Sequence, residues 1–333
     1  MRTYLLALVP FAVPLLLTGC SGSTQAPPAP STFAQDAHVS GEIVAAAGSV
    51  YWVDRGSDVV DSIRAMPAAG GSAATIYTAP SGASPAIEDL ASDGANLYWL
   101  EVTFAGGKYH SQVKAMPVHG STTSVLADAD TALFLVAVNG SYVYFSEVDS
   151  LERVPVGGGP IEKVTSSSTI ASWSIAASSA GACWAAPGDG TVSCEPAGAS
   201  APVQVATGQS NVQAIAIAGS TVYWSTVDDP EQPAHASVFS APMAGGAARL
   251  LTSDATNAVS LAADDHDVYF IDQTSSTASL DQVPIGGGAP TTLAGGFPPV
   301  DPSITSAVHI AVGATSVYWT DSRRGLILRV PLG

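Results

Sequence analysis

A bulky dipeptide returns seven times along this chain, at Tyr51-Trp52, Tyr98-Trp99, Tyr144-Phe145, Cys183-Trp184, Tyr223-Trp224, Tyr269-Phe270 and Tyr318-Trp319, with intervals of 39 to 49 residues. A period of this length marks a repeat architecture in which each copy is one supersecondary unit and the copies stack to share a core. Eight residues before the first member of each pair stands an aliphatic residue: Ile43, Leu90, Val136, Ile175, Ile215, Leu261 and Ile310. The position after it is Val44 in the first copy and alanine in the other six, at 91, 137, 176, 216, 262 and 311, with no gap in any copy.

Downstream, every copy carries an aliphatic residue four places before a proline, from Ile63 and Pro67 in the first to Ile327 and Pro331 in the last. A glycine-containing turn and a short apolar stretch follow, as at Gly70-Gly71 and Ala74 to Tyr77. Each unit thus holds four strand signals separated by turn residues, the pattern of a four-stranded antiparallel sheet. No segment between copies keeps a helical period long enough to cover a sheet, so the sheets must pack on one another. A closed ring does this while leaving only short edges. The expected fold is therefore all-β, a seven-bladed β-propeller. The last copy ends after its third strand, at Leu332-Gly333. Its fourth strand is expected from the free segment Thr32 to Val39, which would join the two ends of the chain; a three-stranded last blade is the alternative.

The charged residues exclude one large class of function. Eleven Lys and Arg against 28 Asp and Glu give a formal charge of −17, the wrong sign for a surface that grips phosphates. Only three cysteines are present, too few for a disulfide-built miniature or a cysteine-clustered metal site. The first 19 residues join one basic residue, Arg2, to an apolar run broken by Pro10 and Pro14, as in an export signal. Residues 20–31 are small, polar and proline-rich, a spacer with nothing to bury, and residues 32–333 form the propeller.

Two resemblances extend these readings. Leu17-Thr18-Gly19-Cys20 resembles the bacterial lipobox, which implies cleavage before Cys20, acylation of its sulfur and attachment to a membrane through lipid alone. Ser21 in the next position implies, in the enterobacterial sorting scheme, the outer membrane. The repeat itself is similar to the YWTD class of β-propeller of the LDL-receptor family, whose signature Tyr318-Trp319-Thr320-Asp321 reproduces. It is closer still to bacterial lipoproteins with repeats of the form V-Y-W-x-x…G-x-I-x-R-V-P-x-x-G-G. That family keeps open a six-bladed alternative, although seven copies can be counted here. The acidic fourth position of the signature is kept as Asp54, Glu101, Glu147, Asp272 and Asp321 and lost at Ala186 and Thr226.

Motifs of enzymatic chemistry are sparse: there is no G-x-S-x-G, H-E-x-x-H or P-loop. No cofactor is implied. Asp264-Asp265-His266-Asp267 has the composition of a metal cluster but occupies the same turn as Asp93-Gly94-Ala95-Asn96, where aspartate serves the turn. Cys183 and Cys194 lie equally far from the centre of a hairpin and should face one another, which in an exported protein means a disulfide.

Loop lengths point to one end of the ring. B–C and D–A connections leave a blade on one face, A–B and C–D turns on the other. The second set hardly varies. The first includes long segments at Asp54–Asp61, Glu101–Ser111 (with Phe104, Tyr109 and His110), Thr226–His235, Thr78–Glu88 and Gly295–Ser306. Variable loops on a rigid scaffold are where function resides. Just inside that face Glu42, Asp89 and His309 should be neighbours, because the seventh blade closes on the first; a histidine with two carboxylates can hold a cation or transfer protons. The expected function is an envelope-anchored, monomeric binding or scaffold module that recognises an unknown protein or peptide on the variable face. The alternative is a metal-dependent, hydrolase- or lactonase-like enzyme using Glu42, Asp89 and His309.

Overall fold

The computed structural model describes residues 29–36, 38–56, 60–81, 85–166, 174–186, 190–209, 211–229, 235–299 and 309–332. The segment expected to be an export signal, Cys20, most of the expected spacer, and parts of four of the long connections lie outside these residues. Seven four-stranded antiparallel sheets form a ring, and the chain is a seven-bladed β-propeller. The first blade runs Val39–Ala46, Ser49–Asp54, Ser62–Pro67 and Ala74–Thr78 from axis to rim, and five further blades repeat that order. The seventh takes three strands from the end of the chain, Ile310–Val312, Ser316–Asp321 and Leu326–Pro331. Its outer strand is Ser31–Gln35, antiparallel to the last strand with Ser31 opposite Arg329 and Gln35 opposite Leu326. Four strands therefore close the ring, the closing strand beginning one residue earlier than expected and ending before Val39, which opens the first blade.

The packing explains why the dipeptide recurs. Successive side chains of a strand point to opposite faces, so the first residue of each pair faces the next blade and the second faces the previous one. Tyr51 packs with Trp99 at the seam of blades one and two, Tyr98 with Phe145 at the next, and Tyr144 with Trp184 after that. Cys183 meets Trp224, Tyr223 meets Phe270, Tyr269 meets Trp319, and Tyr318 meets Trp52 to close the circle. Seven seams thus have seven apolar cores, each sealed by one residue from either side. Trp52, Trp99, Trp224 and Trp319 are all fully buried.

Turn chemistry repeats with the blades. Asp93 and Asp264 do the same work at their A–B turns: each carboxylate accepts two backbone N–H groups and a tyrosine hydroxyl, from Tyr98 and Tyr269 respectively. Those hydrogen bonds favour the charged form and lower both pKa values. The Asp264–Asp267 run is accordingly a turn. The C–D turn of the first blade places Gly70 at φ +96° and Gly71 at φ +135°, a region closed to residues with a side chain.

Candidate functional site

The expected neighbours do meet at the mouth of the axial channel, though not as one ligand set. The channel encloses about 470 Å³ and is walled by the innermost strands, including Ala91, Ala137, Ala176, Ala216, Ala262 and Ala311. Of the three residues expected just inside its mouth, Asp89 and His309 line it, alongside Leu135, Ser174, Ala214 and Ser260, and Glu42 does not. The reason is local register. Between Val39↔Asp54 and Ile43↔Trp52 the inner strand advances four positions against two on its partner, whereas between Ile87↔Glu101 and Leu90↔Trp99 blade two advances three against two. An irregularity of this kind re-aims the side chains within it. Glu42 is turned into the protein, 1% exposed, with one carboxylate oxygen 3.7 Å from Arg55 and the other without a hydrogen-bond partner.

Asp89 is committed elsewhere. Its Oδ1 accepts the N–H of Leu90 and its Oδ2 that of Val136, both at 2.8 Å, so the carboxylate bridges the innermost strands of blades two and three. His309 Nδ1 stands 3.8 Å from Asp89 Oδ1. Burial pushes both carboxyls up to about 7, despite the Arg55 guanidinium near Glu42 and the two N–H donors on Asp89. Burial also lowers the His309 pKa, partly offset by Glu42. The mouth therefore holds groups that titrate near neutrality. Arg55, unremarked in the sequence, lies 3.6 Å from Asp61 and 3.9 Å from Glu88 as well, and supplies the cation that a metal would otherwise bring to these acids. Among the described residues no group of three or more His, Cys, Asp or Glu side chains is arranged to hold a metal ion.

Three acids of the repeat signature, Glu101, Asp272 and Asp321, serve local structure. Lys114 Nζ donates to Glu101 at 2.6 Å, and Tyr77 donates to the same carboxylate. Asp272 accepts the N–H groups of Thr256 and Asn257, and Asp321 pairs with Arg324. These three positions of the incomplete acidic ring are thus separate clamps.

The variable face carries a different feature. Glu101–Ser111, expected as a loop, is the end of a hairpin between Asn96–Ala105 and Lys108–Pro117. These strands are ten residues each, and the register continues through Thr103↔His110, Phe104↔Tyr109 and Ala105↔Lys108. The inner strand of the blade stops at Val102 and the outer one at Ser111, so the last part of the hairpin has no further strand beside it. Gly106 and Gly107, at φ +60° and +78°, make the two-residue turn whose twist suits a hairpin. The missed signal was this Gly-Gly between alternating residues. Phe104 is 60% exposed and Tyr109 46%, their ring centroids 4.7 Å apart. His110 points to the other face of the ribbon, 3.5 Å from Asp128 and 3.8 Å from Asp130.

Cys183 lies directly opposite Cys194 in the fourth blade, with Cα atoms 4.0 Å apart and the sulfurs within bonding distance.

No family model matches the chain, and no curated protein does. Solved structures do. A chain of a mitotic checkpoint complex matches with a TM-score of 0.61 at 11% identity, over 99% of either chain. YCF48 bound to D1 peptide gives 0.60 at 9%, over 93% of this chain and 97% of that one. An oligogalacturonate lyase in complex with manganese gives 0.51 at 11%, over 71% and 74%. Two of these are complexes and one is an enzyme; at such identities the likeness extends to the fold, and the fold is a propeller shared by unlike functions.

Proposed function

We propose that this chain is a protein- or peptide-recognition module of the bacterial envelope. Residues 1–19 act as the export signal, Cys20 carries the lipid, and the propeller works as a monomer at the outer membrane. The YWTD-like repeat builds the scaffold and does not itself choose the ligand. The observation that carries the reading is the blade-two hairpin, which presents two exposed aromatic rings beyond the rigid ring. Exposed aromatics on a preorganised scaffold are costly to leave in water and are the usual anchors of interfaces. Solved propellers in complex with protein or peptide are compatible with this use of the fold. The enzymatic alternative is less supported: both oxygens of Asp89 already hold N–H groups, and Glu42 faces Arg55.

The test is recovery of a partner from envelope extracts by the mature domain, compared with a variant in which Thr103–His110 is shortened to a two-residue turn. A partner retained by the first and lost by the second supports the reading. Recovery of none, or equal recovery by both, overturns it. For the anchor, labelled fatty acid should enter the wild type and fail to enter C20A.

A further inference from the structure

The hairpin does not stand alone. Along its first strand Tyr98 and Leu100 belong to the core shared with the third blade, and period two places Phe104 on that same side. On the second strand Val113 packs in the same core, which puts Tyr109 there too. The two exposed rings of the overhang therefore face the side of the third blade. Directly beneath the overhang, the Ser111 hydroxyl donates to the carbonyl of Thr131 at 2.6 Å and holds the connection into blade three against the hairpin base. That connection carries Phe134, 43% exposed, whose N–H donates to Ser146 at the end of the neighbouring strand. Two residues beyond Ser146 is Val148, 42% exposed. Four of the seven exposed large apolar side chains among the described residues thus lie at the same end of the adjoining blades two and three.

The rim there is acidic. Glu147 and Asp149 flank Val148, and Glu152 follows in the next strand. Burial raises the pKa of Glu147, and repulsion by Glu152 and Asp149 raises it further, against a smaller pull from Lys163. A positive group brought there would relieve that repulsion. Lys108 lies at the hairpin tip and His110 on the far side of the ribbon, so neither neutralises these acids.

We infer that the notch between Phe104/Tyr109 and Phe134/Val148 is the recognition site, and that it takes an extended segment of a partner protein bearing a large apolar side chain flanked by lysine or arginine. This rests on the recognition function proposed above. The apolar side chain fills the space between the two apolar pairs, and the flanking cation meets Glu147 and Asp149. Anionic lipid would be repelled by the same rim.

The test uses the mature domain and three fluorescent nonapeptides: one with a central Trp-Leu flanked by arginines, one with the same centre flanked by glutamates, and one with serines in place of Trp-Leu between arginines. The first should bind at least about tenfold more tightly than either control, and more weakly as salt rises. F104A/Y109A should cost about tenfold, E147Q/D149N should remove the preference for arginine over glutamate, and H110A on the opposite face should change neither. All altered side chains are exposed or at the rim, and unchanged thermal unfolding will show that the variants fold. Equal binding of the arginine and glutamate peptides, indifference to F104A/Y109A, or tighter binding to phosphatidylglycerol vesicles than to the arginine peptide overturns the inference. Should the envelope partner's hydrogen-exchange footprint fall on this face but away from the notch, this site fails while the recognition function stands; should no partner be recovered, that function fails too.

Discussion

The indole N–H of Trp52 donates to Asp36 Oδ2 at 3.1 Å, one of the contacts that join the two ends of the ring. Asp36 follows the closing strand of the seventh blade, and Trp52 belongs to the first. Arg64, also of blade one, reaches the same oxygen at 2.5 Å, while the backbone N–H of Asp36 is held by Gly325. A propeller closed this way resists opening at a single seam, so loss of the latch weakens the whole. Asp36→Ala leaves a buried indole N–H and part of a guanidinium unpaired, which costs about 2–4 kcal/mol. Urea unfolding should show a lower midpoint with no change of slope; an unchanged midpoint would show that the latch is dispensable.

The alternation of each dipeptide across two seams has its own consequence. Trp319 fills the core shared with the sixth blade, and its neighbour Tyr318 fills the one shared with the first. Trp319→Ala should therefore cost roughly 3–5 kcal/mol, whereas Leu250→Ala on the exposed outer strand of blade five should stay within about 0.5 kcal/mol. Paired calorimetric scans measure both, and comparable losses would mean that the seams do not dominate stability.

Almost all of the scaffold could be read from residues whose job is the same in every blade. The dipeptide, the alanine beside the axis and the C–D glycines are repeated because each blade meets the same neighbours, and a repeated constraint leaves a repeated letter. The mouth and the variable face answer to no such repetition. Asp89 and Glu42 occupy equivalent places in the repeat, yet a difference of one residue in the local register sends one into the channel and the other toward Arg55. The notch is formed by residues from three separate connections, and only Phe104 and Tyr109 drew notice in the sequence. Phe134 and Val148 gain meaning once the hairpin's rings are known to face blade three.

Cys183 stands where other blades place tyrosine, facing Trp224 across the seam between blades four and five. Joined to Cys194, it would recover part of the bulk lost with the aromatic ring and brace that hairpin. Alkylation of the unfolded protein should label neither cysteine unless it is first reduced, and reduction should add about two hydrogens by mass. The stabilisation should fall below the about 3 kcal/mol that loop closure alone would give, since the two strands are already paired. Labelling of either residue without reductant would show the pair to be free thiols.

Glu42 makes stability depend on pH in a direction opposite to that of a salt-bridged acid. Burial raises its folded pKa from 4.5 to about 7, so between these values the folded chain keeps a proton that the unfolded chain has released. Stability from this group therefore falls as pH rises from about 4.5 to about 7 and stays low above it. Asp89, raised from 3.8 to about 7, acts in the same sense. His309, whose pKa is lowered, acts in the opposite one, because its unfolded form binds the proton more readily below about 6.5. The separate contribution of Glu42 is best isolated by Glu42→Gln, which removes the charge and keeps the shape. The variant should be more stable than the wild type at pH 8, by a few kcal/mol at most, since each tenfold change in proton affinity is worth about 1.4 kcal/mol, and the difference should shrink toward pH 5. Thermal unfolding of both proteins across that range measures it; a variant less stable than the wild type at pH 8 would mean that the Arg55 pairing outweighs the burial of the carboxylate.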